Sequence, residues 1–114
     1  DVLMVGDQVV FSQRNPLFGI NEDRWGLRFP DASNIFAKDL RQKMSDFCKE
    51  HKIPVTSVIF GHTVGPIFES QLTNGLYRKL GCHVIGTGMV TDSLTCCHMK
   101  VPFVSVGICT HPHK

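Results

Sequence analysis

Short β-branched runs alternate along this chain with apolar positions at three- and four-residue intervals, which predicts strands and helices in turn. Val2 to Val5 and Gln8 to Phe11 are β-branched runs split by Gly6-Asp7, a strand with a kink or a tight hairpin. Ser12 to Pro30 mixes glycine and proline with Asn15, Asn21 and Asp23 around Trp25 and Phe29, and reads as a long functional loop. From Asn34 to about Lys52, Ile35, Phe36, Leu40, Met44, Phe47 and Cys48 recur at helical spacing, an amphipathic surface helix that Ser33 can cap. Beyond it the pattern predicts a strand at Ile53 to Phe60, a helix at Glu69 to Leu80 ended by Gly81, and a strand at Cys82 to Ile85. A helix at Thr91 to Lys100 and a strand at Val101 to Cys109 follow. Such alternation implies parallel strands joined by right-handed crossovers, an α/β sheet covered on both faces. Ligands of such sheets gather beyond the strands' carboxyl ends, here Gly61 to Glu69, Gly86 to Thr91 and Thr110 to His113.

One segment in that set carries recognisable chemistry. In Gly65-Pro66-Ile67-Phe68-Glu69-Ser70, Gly and Pro fix the backbone path, Phe68 offers a flat apolar face, and Glu69 offers an acceptor for a ring N–H. That combination suits a planar, hydrogen-bonding ligand. The competing account is a strand-to-helix loop in which Phe68 packs inward and Glu69 starts the helix beside its positive dipole end.

Composition narrows the alternatives. The chain has 114 residues, one domain at most, and its net charge of +2 is scattered, so no nucleic-acid footprint is visible. No apolar run approaches the roughly 20 residues that span a bilayer, no signal-peptide pattern is visible, and cytoplasm is the expected compartment. Five cysteines, Cys48, Cys82, Cys96, Cys97 and Cys109, form an odd set lying mostly in apolar segments, which favours reduced, buried thiols over a disulfide framework. Cys96-Cys97-His98 and the alternating Cys109, His111 and His113 lack the ligand spacing that lets side chains converge on zinc, so no metal is expected.

An ordered series of motifs resembles the trimeric class of purine nucleoside phosphorylases. Asn15-Pro16-Leu17, Gly19, Asn21, Arg24, Gly26, Arg28-Phe29-Pro30, Ser33 and Leu40-Arg41 follow that family's long loop and the helix after it. Gly65-Pro66 with Phe68-Glu69-Ser70 is similar to its purine-pocket turn. Lys79-Leu80-Gly81, Val84, Gly86, Val90, His98 and Thr110 follow the elements beyond. The resemblance implies a mixed, largely parallel sheet flanked by helices, incomplete in this chain. It implies phosphorolysis of purine ribonucleosides to free base and ribose 1-phosphate, with inorganic phosphate as co-substrate and no cofactor. By resemblance Glu69 accepts a hydrogen bond from the purine, Phe68 stacks on it, Ile85 lines the base pocket and Thr110 sits at its polar end. Phe29 is similar to the aromatic residue that family members insert into a neighbouring subunit's ribose site, which implies a homotrimer.

The resemblance covers less than half of the family's usual length. The segments carrying the family's glycine-rich phosphate loop, an Arg-His pair and an Asn-Ala-Ala-Gly turn have no counterpart here, nor does the C-terminal helix with its ribose-contacting His. A sheet without those strands would expose an edge and an apolar face, to be completed by a companion chain unless the sequence is a fragment. Departures fall on chemical positions. Thr87-Gly88 stands where the family has Met then a phosphate-binding Ser, so Gly88 has lost that hydroxyl, and Thr87 carries one a residue earlier. His111 replaces an Asn at the purine N7 edge, where imidazole can donate a hydrogen bond as the catalytic group. Asp7-Gln8-Val9-Val10 departs from the family's Asp-His-Ile-Asn, and the gate loop from Phe11 to Asn15 is shortened. A catalytically degenerate binding or assembly module is the alternative reading.

Overall fold

The structure, a computed structural model, describes residues 1–112. Seven elements follow one another: β1 (Val2–Val10), α1 (Lys38–Glu50), β2 (Val55–His62), α2 (Gln71–Lys79), β3 (Val84–Gly86), α3 (Val90–His98) and β4 (Val106–Gly107). The sheet order is β3-β2-β1-β4. β1, β2 and β3 are parallel and β4 is antiparallel, so the sheet is mixed and largely parallel, as the sequence implied.

The kinked-strand reading of the N-terminus holds. β1 runs through Gly6 as one strand, and the β1–β2 register skips that residue between the Val5–Val58 and Asp7–Ile59 pairs. A bulge absorbs one unpaired residue without reversing the chain. β2 lies two residues later than the pattern placed it. Pro54 ends the irregular stretch before it, because proline has no N–H for a ladder.

The first helix starts later than its periodicity suggested. Ile35 and Phe36 have helical spacing but are buried in the core instead, and Phe36 bridges Phe103 in a parallel sense. Ser33 does not cap α1: its hydroxyl donates to Asp31 Oδ1 at 2.6 Å, and Ala37 precedes the helix without a side-chain cap. Apolar spacing cannot separate a helical face from a short extended stretch packed on the same core. α2 does have a cap, Ser70, whose Oγ accepts from the Thr73 N–H at 3.2 Å.

All three helices end alike. In α2 the Gly81 N–H bonds the Arg78 carbonyl and the Cys82 N–H bonds the Tyr77 carbonyl, with Gly81 at φ 87°. This is a Schellman closure, which needs a left-handed residue just past the helix. Lys52 (φ 54°) and Lys100 (φ 56°) play that part after α1 and α3, making the corresponding pair of bonds. The sequence signals only the glycine-ended helix.

The last strand is the main departure. Val101 to Cys109 forms β4 only at Val106–Gly107, paired antiparallel to Met4 and Leu3. Pro102 cannot donate to a ladder, and Phe103 turns toward Phe36, with ring centroids 5.8 Å apart.

Val5, Ile35, Phe36 and Val58 form the buried core, with Leu94 and Cys97 of α3 packed on it. On the opposite sheet face, Gly61 lets α2 approach closely, since a Cβ there would lie 2.5 Å from the Tyr77 ring. Helices therefore cover both faces. The Tyr77 hydroxyl donates to the His62 carbonyl at 2.6 Å, tying α2 to the end of β2.

Two outcomes follow from this packing. Gly61→Ala must displace the Tyr77 ring and is expected to cost about 1–3 kcal/mol in urea unfolding. Gly75→Ala, with nothing within 4 Å of the added Cβ in the middle of α2, is expected to stabilise by about 0.5–1 kcal/mol. Tyr77 is the single tyrosine, so its ionisation can be read directly by ultraviolet titration. Burial first, then the charges of Cys82 and Glu69, hold its phenol above the ordinary 10.0. A folded-state value raised in this way contributes stability that is complete below the unfolded phenol's value and lost as pH rises through the folded one. Unfolding midpoints should therefore fall on the alkaline side of pH 10, and Glu69→Gln should move the titration down toward the ordinary value.

Candidate functional site

The parallel pairing of β1, β2 and β3 brings their carboxyl ends to one edge of the sheet. The chain leaving β2 stays in register for one more residue, with the Thr63 N–H bonded to the Gly86 carbonyl at 2.9 Å. It then turns through the cis Gly65-Pro66 peptide and reaches α2 at the Ser70 cap. Phe68 and Glu69 lie on that turn.

Both residues border an open hollow of about 650 Å³. Ile85, Gly88, Thr110 and His111 border it as well, so six of the eight residues singled out in the sequence meet around one space. Phe68 is 80% exposed, which excludes the inward-packed alternative for its ring. Its centroid lies 5.2 Å from that of His111 at an interplanar angle of 47°. The Thr110 hydroxyl and His111 Nδ1 are 3.0 Å apart and share one hydrogen. Glu69 is half-buried, and its Oε1 accepts a hydrogen bond from the Thr63 hydroxyl. Its Oε2 makes no hydrogen bond among the described residues. Ile85 is half-buried at the edge strand.

Thr110 and His111 reach the hollow by an unexpected route. β4 runs antiparallel, so they do not sit beyond a parallel strand tip; they belong to the segment following Gly107, which shares the hollow with Leu3, Val5, Val58, Phe60 and Val84. Val5 and Val58 are buried in the core, and Leu3, Phe60 and Val84 are half-buried against it, so the hollow borders the core's flank. His113, placed by the sequence in the same segment, lies outside the described residues.

Two residues fall elsewhere. Thr87 borders a second hollow with Arg14, His62, Thr63 and the Gly65-Pro66 turn, on the other side of the β3 end. Phe29 lies outside both hollows, 87% exposed, with the Arg28 guanidinium 5.6 Å above its ring. A side chain at Gly88 would meet nothing within 4 Å, so the missing hydroxyl is not a steric exclusion.

The sequence missed a buried polar link between these parts. His62 is 6% exposed, with Nδ1 2.8 Å from the Ser12 hydroxyl and Nε2 3.3 Å from the Thr87 carbonyl. Since a carbonyl only accepts, Nε2 carries the proton in its bond to Thr87. This fixes the start of the long loop to the end of β3. The loop's far part is held by His98, whose Nε2 is 2.8 Å from Asn21 Oδ1, while Asn21 Nδ2 donates to the Gly26 carbonyl at 3.0 Å. A Cβ at Gly26 would lie 1.9 Å from the His98 carbonyl, so this glycine lets the loop press on the end of α3. A histidine in an apolar helix gives no such signal in sequence.

All five cysteines are unpaired, and burial pushes the thiols of Cys82 and Cys97 up. Among the described residues no group of three or more His, Cys, Asp or Glu side chains is arranged to hold a metal ion. No helix among them is long and apolar enough to cross a membrane.

Comparison with known proteins places this geometry in context. Residues 1–113 match the sequence profile described as Phosphorylase superfamily. The chain is 30% identical over 107 residues to purine nucleoside phosphorylase 1 of Bacillus subtilis strain 168, covering 94% of this chain and 40% of the relative. It is 33% identical over 119 residues to the purine nucleoside phosphorylase of Bos taurus, covering 97% and 40%. A crystal structure of isoform 2 of purine nucleoside phosphorylase from Schistosoma mansoni, in complex with cytosine and ribose-1-phosphate, superposes with a TM-score of 0.84 at 28% identity. That match covers 93% of this chain and 39% of the solved one. The chain thus spans about 40% of the length of the curated relatives it matches. With the mixed, largely parallel sheet, these matches establish that the chain belongs to the phosphorylase superfamily, among relatives that are purine nucleoside phosphorylases.

Proposed function

We propose that this chain forms the base-gripping part of a purine nucleoside phosphorylase, which splits purine ribonucleosides with inorganic phosphate into free base and ribose 1-phosphate. The observation carrying this reading is that Phe68, Glu69, Thr110 and His111 border one hollow. Phe68 supplies the stacking face, and Glu69 Oε2 accepts from a ring N–H. The Thr110–His111 pair faces the other polar edge of the base, with Ile85 closing the apolar side. The Schistosoma isoform with ribose-1-phosphate bound supports the same reaction class.

The chemistry follows from charge. As a phosphate oxygen approaches C1′, the glycosidic C–N bond breaks, the sugar becomes cationic, and the purine leaves with the bonding electron pair. His111 is the group that donates a hydrogen bond to the N7 edge of that anion, and Glu69 holds the ring's N–H edge in place. Donors fixed before the reaction lower the barrier without reorganisation, which is why their orientation by neighbouring residues matters.

The phosphate end is less furnished. Gly88 contributes no hydroxyl, and Thr87 borders the second hollow with Arg14, where both can meet an anion. Phe29, exposed and outside the hollow, serves a neighbouring subunit's site in a homotrimer, and a companion chain or further segment completes the sheet. Cytoplasm is the compartment that five unpaired thiols suit. The degenerate-module alternative is not favoured, because the relatives bear the names of enzymes.

Ribose 1-phosphate formation from inosine and phosphate by the assembled protein tests the proposal. Glu69→Gln and His111→Ala are each expected to lower kcat/KM by about a hundredfold. Gly88→Ser, which has open space for its side chain, is expected to lower the KM for phosphate by several-fold, about one charge-assisted hydrogen bond. Absence of turnover in a folded assembly that binds no purine would sink the reading.

A further inference from the structure

We propose that Thr63 decides which purine the Glu69 carboxylate accepts, a proposal resting on the reading of the hollow as a purine site. Thr63 directly follows β2, its N–H bonded to the Gly86 carbonyl at 2.9 Å, so its hydroxyl is borne on backbone tied to the sheet. Glu69 lies on the turn leading to α2, a segment with fewer constraints. The hydroxyl crosses from one to the other and donates to Glu69 Oε1. A β-branched residue has little χ1 freedom, so the donor's direction is fixed as well as its position.

The consequence concerns hydrogen-bond stoichiometry. A carboxylate accepts only, and presents two oxygens side by side. A purine with one N–H on the facing edge needs one of them, and Oε2 has no partner among the described residues. A purine that adds a neighbouring exocyclic amino group presents two parallel donors, a fork matched to both oxygens at once. With Oε1 already accepting from Thr63, the second donor has only that oxygen's remaining lone pair, in a direction the hydroxyl leaves open, and receives the weaker bond of a shared acceptor. The arrangement therefore favours a six-oxo purine without the 2-amino group and rejects part of the binding energy of one that carries it. Thr63 is a positioning residue: it acts through Glu69 and does not itself touch the base.

The test is calorimetric titration of hypoxanthine and guanine, in the presence of phosphate, into the assembled protein as wild type, Thr63→Val and Thr63→Ser. Valine keeps the shape and removes the donor, whereas serine keeps the donor. The wild type is expected to bind hypoxanthine more tightly. Thr63→Val should weaken hypoxanthine about tenfold and guanine less, moving the ratio about fivefold or more toward guanine, and Thr63→Ser should restore it. Circular dichroism checks the fold, and Thr63→Ala replaces the valine variant if that variant does not fold. A ratio unchanged within about twofold on loss of the hydroxyl, or a serine variant behaving like valine, overturns the assignment while leaving the purine site standing. Binding of neither base by the wild type instead overturns the purine reading, and this proposal with it.

Discussion

Parallel pairing of β2 with β1 and β3 is the constraint on which the rest of the structure depends. Eight residue pairs join β1 to β2 and three join β2 to β3, and because the strands point the same way their carboxyl ends lie together. Parallel strands cannot be joined by a tight turn, so a helix must carry the chain back each time, and α1 and α2 do this. The crossover helices end in left-handed residues that reverse the chain into the next strand, Lys52 after α1 and Gly81 after α2. The turn between β2 and α2 is thereby placed at the edge where the strands' carboxyl ends lie. Phe68 is exposed at the hollow because of that placement, with no apolar partner required.

The paired strand ends also organise what lies around them. Gly61 and Tyr77 bring α2 against the sheet, and the phenol's bond to the His62 carbonyl locks helix to strand. The His62 ring continues the connection, to Ser12 on one side and Thr87 on the other. Thr63, the next residue, holds Glu69. Three consecutive positions at the end of one strand thus fix a helix, a loop and a carboxylate. A buried network of this kind is costly if any member is left unsatisfied, and among the described residues no buried side-chain polar atom lacks a partner.

Much of this was legible in the residues themselves. The strand-helix alternation, the break at Gly6-Asp7 and the meeting of Phe68 with Glu69 all follow from period and turn chemistry, which are local properties, while the choice of a kinked strand over a hairpin needed the β1–β2 pairing. The failures are places where tertiary contacts overrule local pattern. Ile35 and Phe36 keep helical spacing yet pack as an extended stretch beside Phe103. Ser33 has the right chemistry for a cap but bonds Asp31, two residues away, before the helix begins. Val101 to Cys109 has strand composition, but Pro102 and the inward turn of Phe103 leave two residues to pair, in the opposite sense. Side-chain links between segments distant in sequence, such as Thr87 with His62 or His98 with Asn21, leave no trace in composition or spacing.

The two ends of the proposed reaction are unequally equipped, and the inequality has a kinetic meaning. At the base end a stacking ring, an oriented carboxylate and an imidazole border the hollow. At the phosphate end residue 88 offers a bare backbone with open space around it. Interactions that hold the base equally in the nucleoside and in the transition state lower KM without raising kcat. Rate enhancement requires contacts that strengthen as charge develops, and those belong to the departing purine anion and the incoming phosphate together. In the proposed reaction His111 is assigned the first requirement, and the second falls to donors other than residue 88.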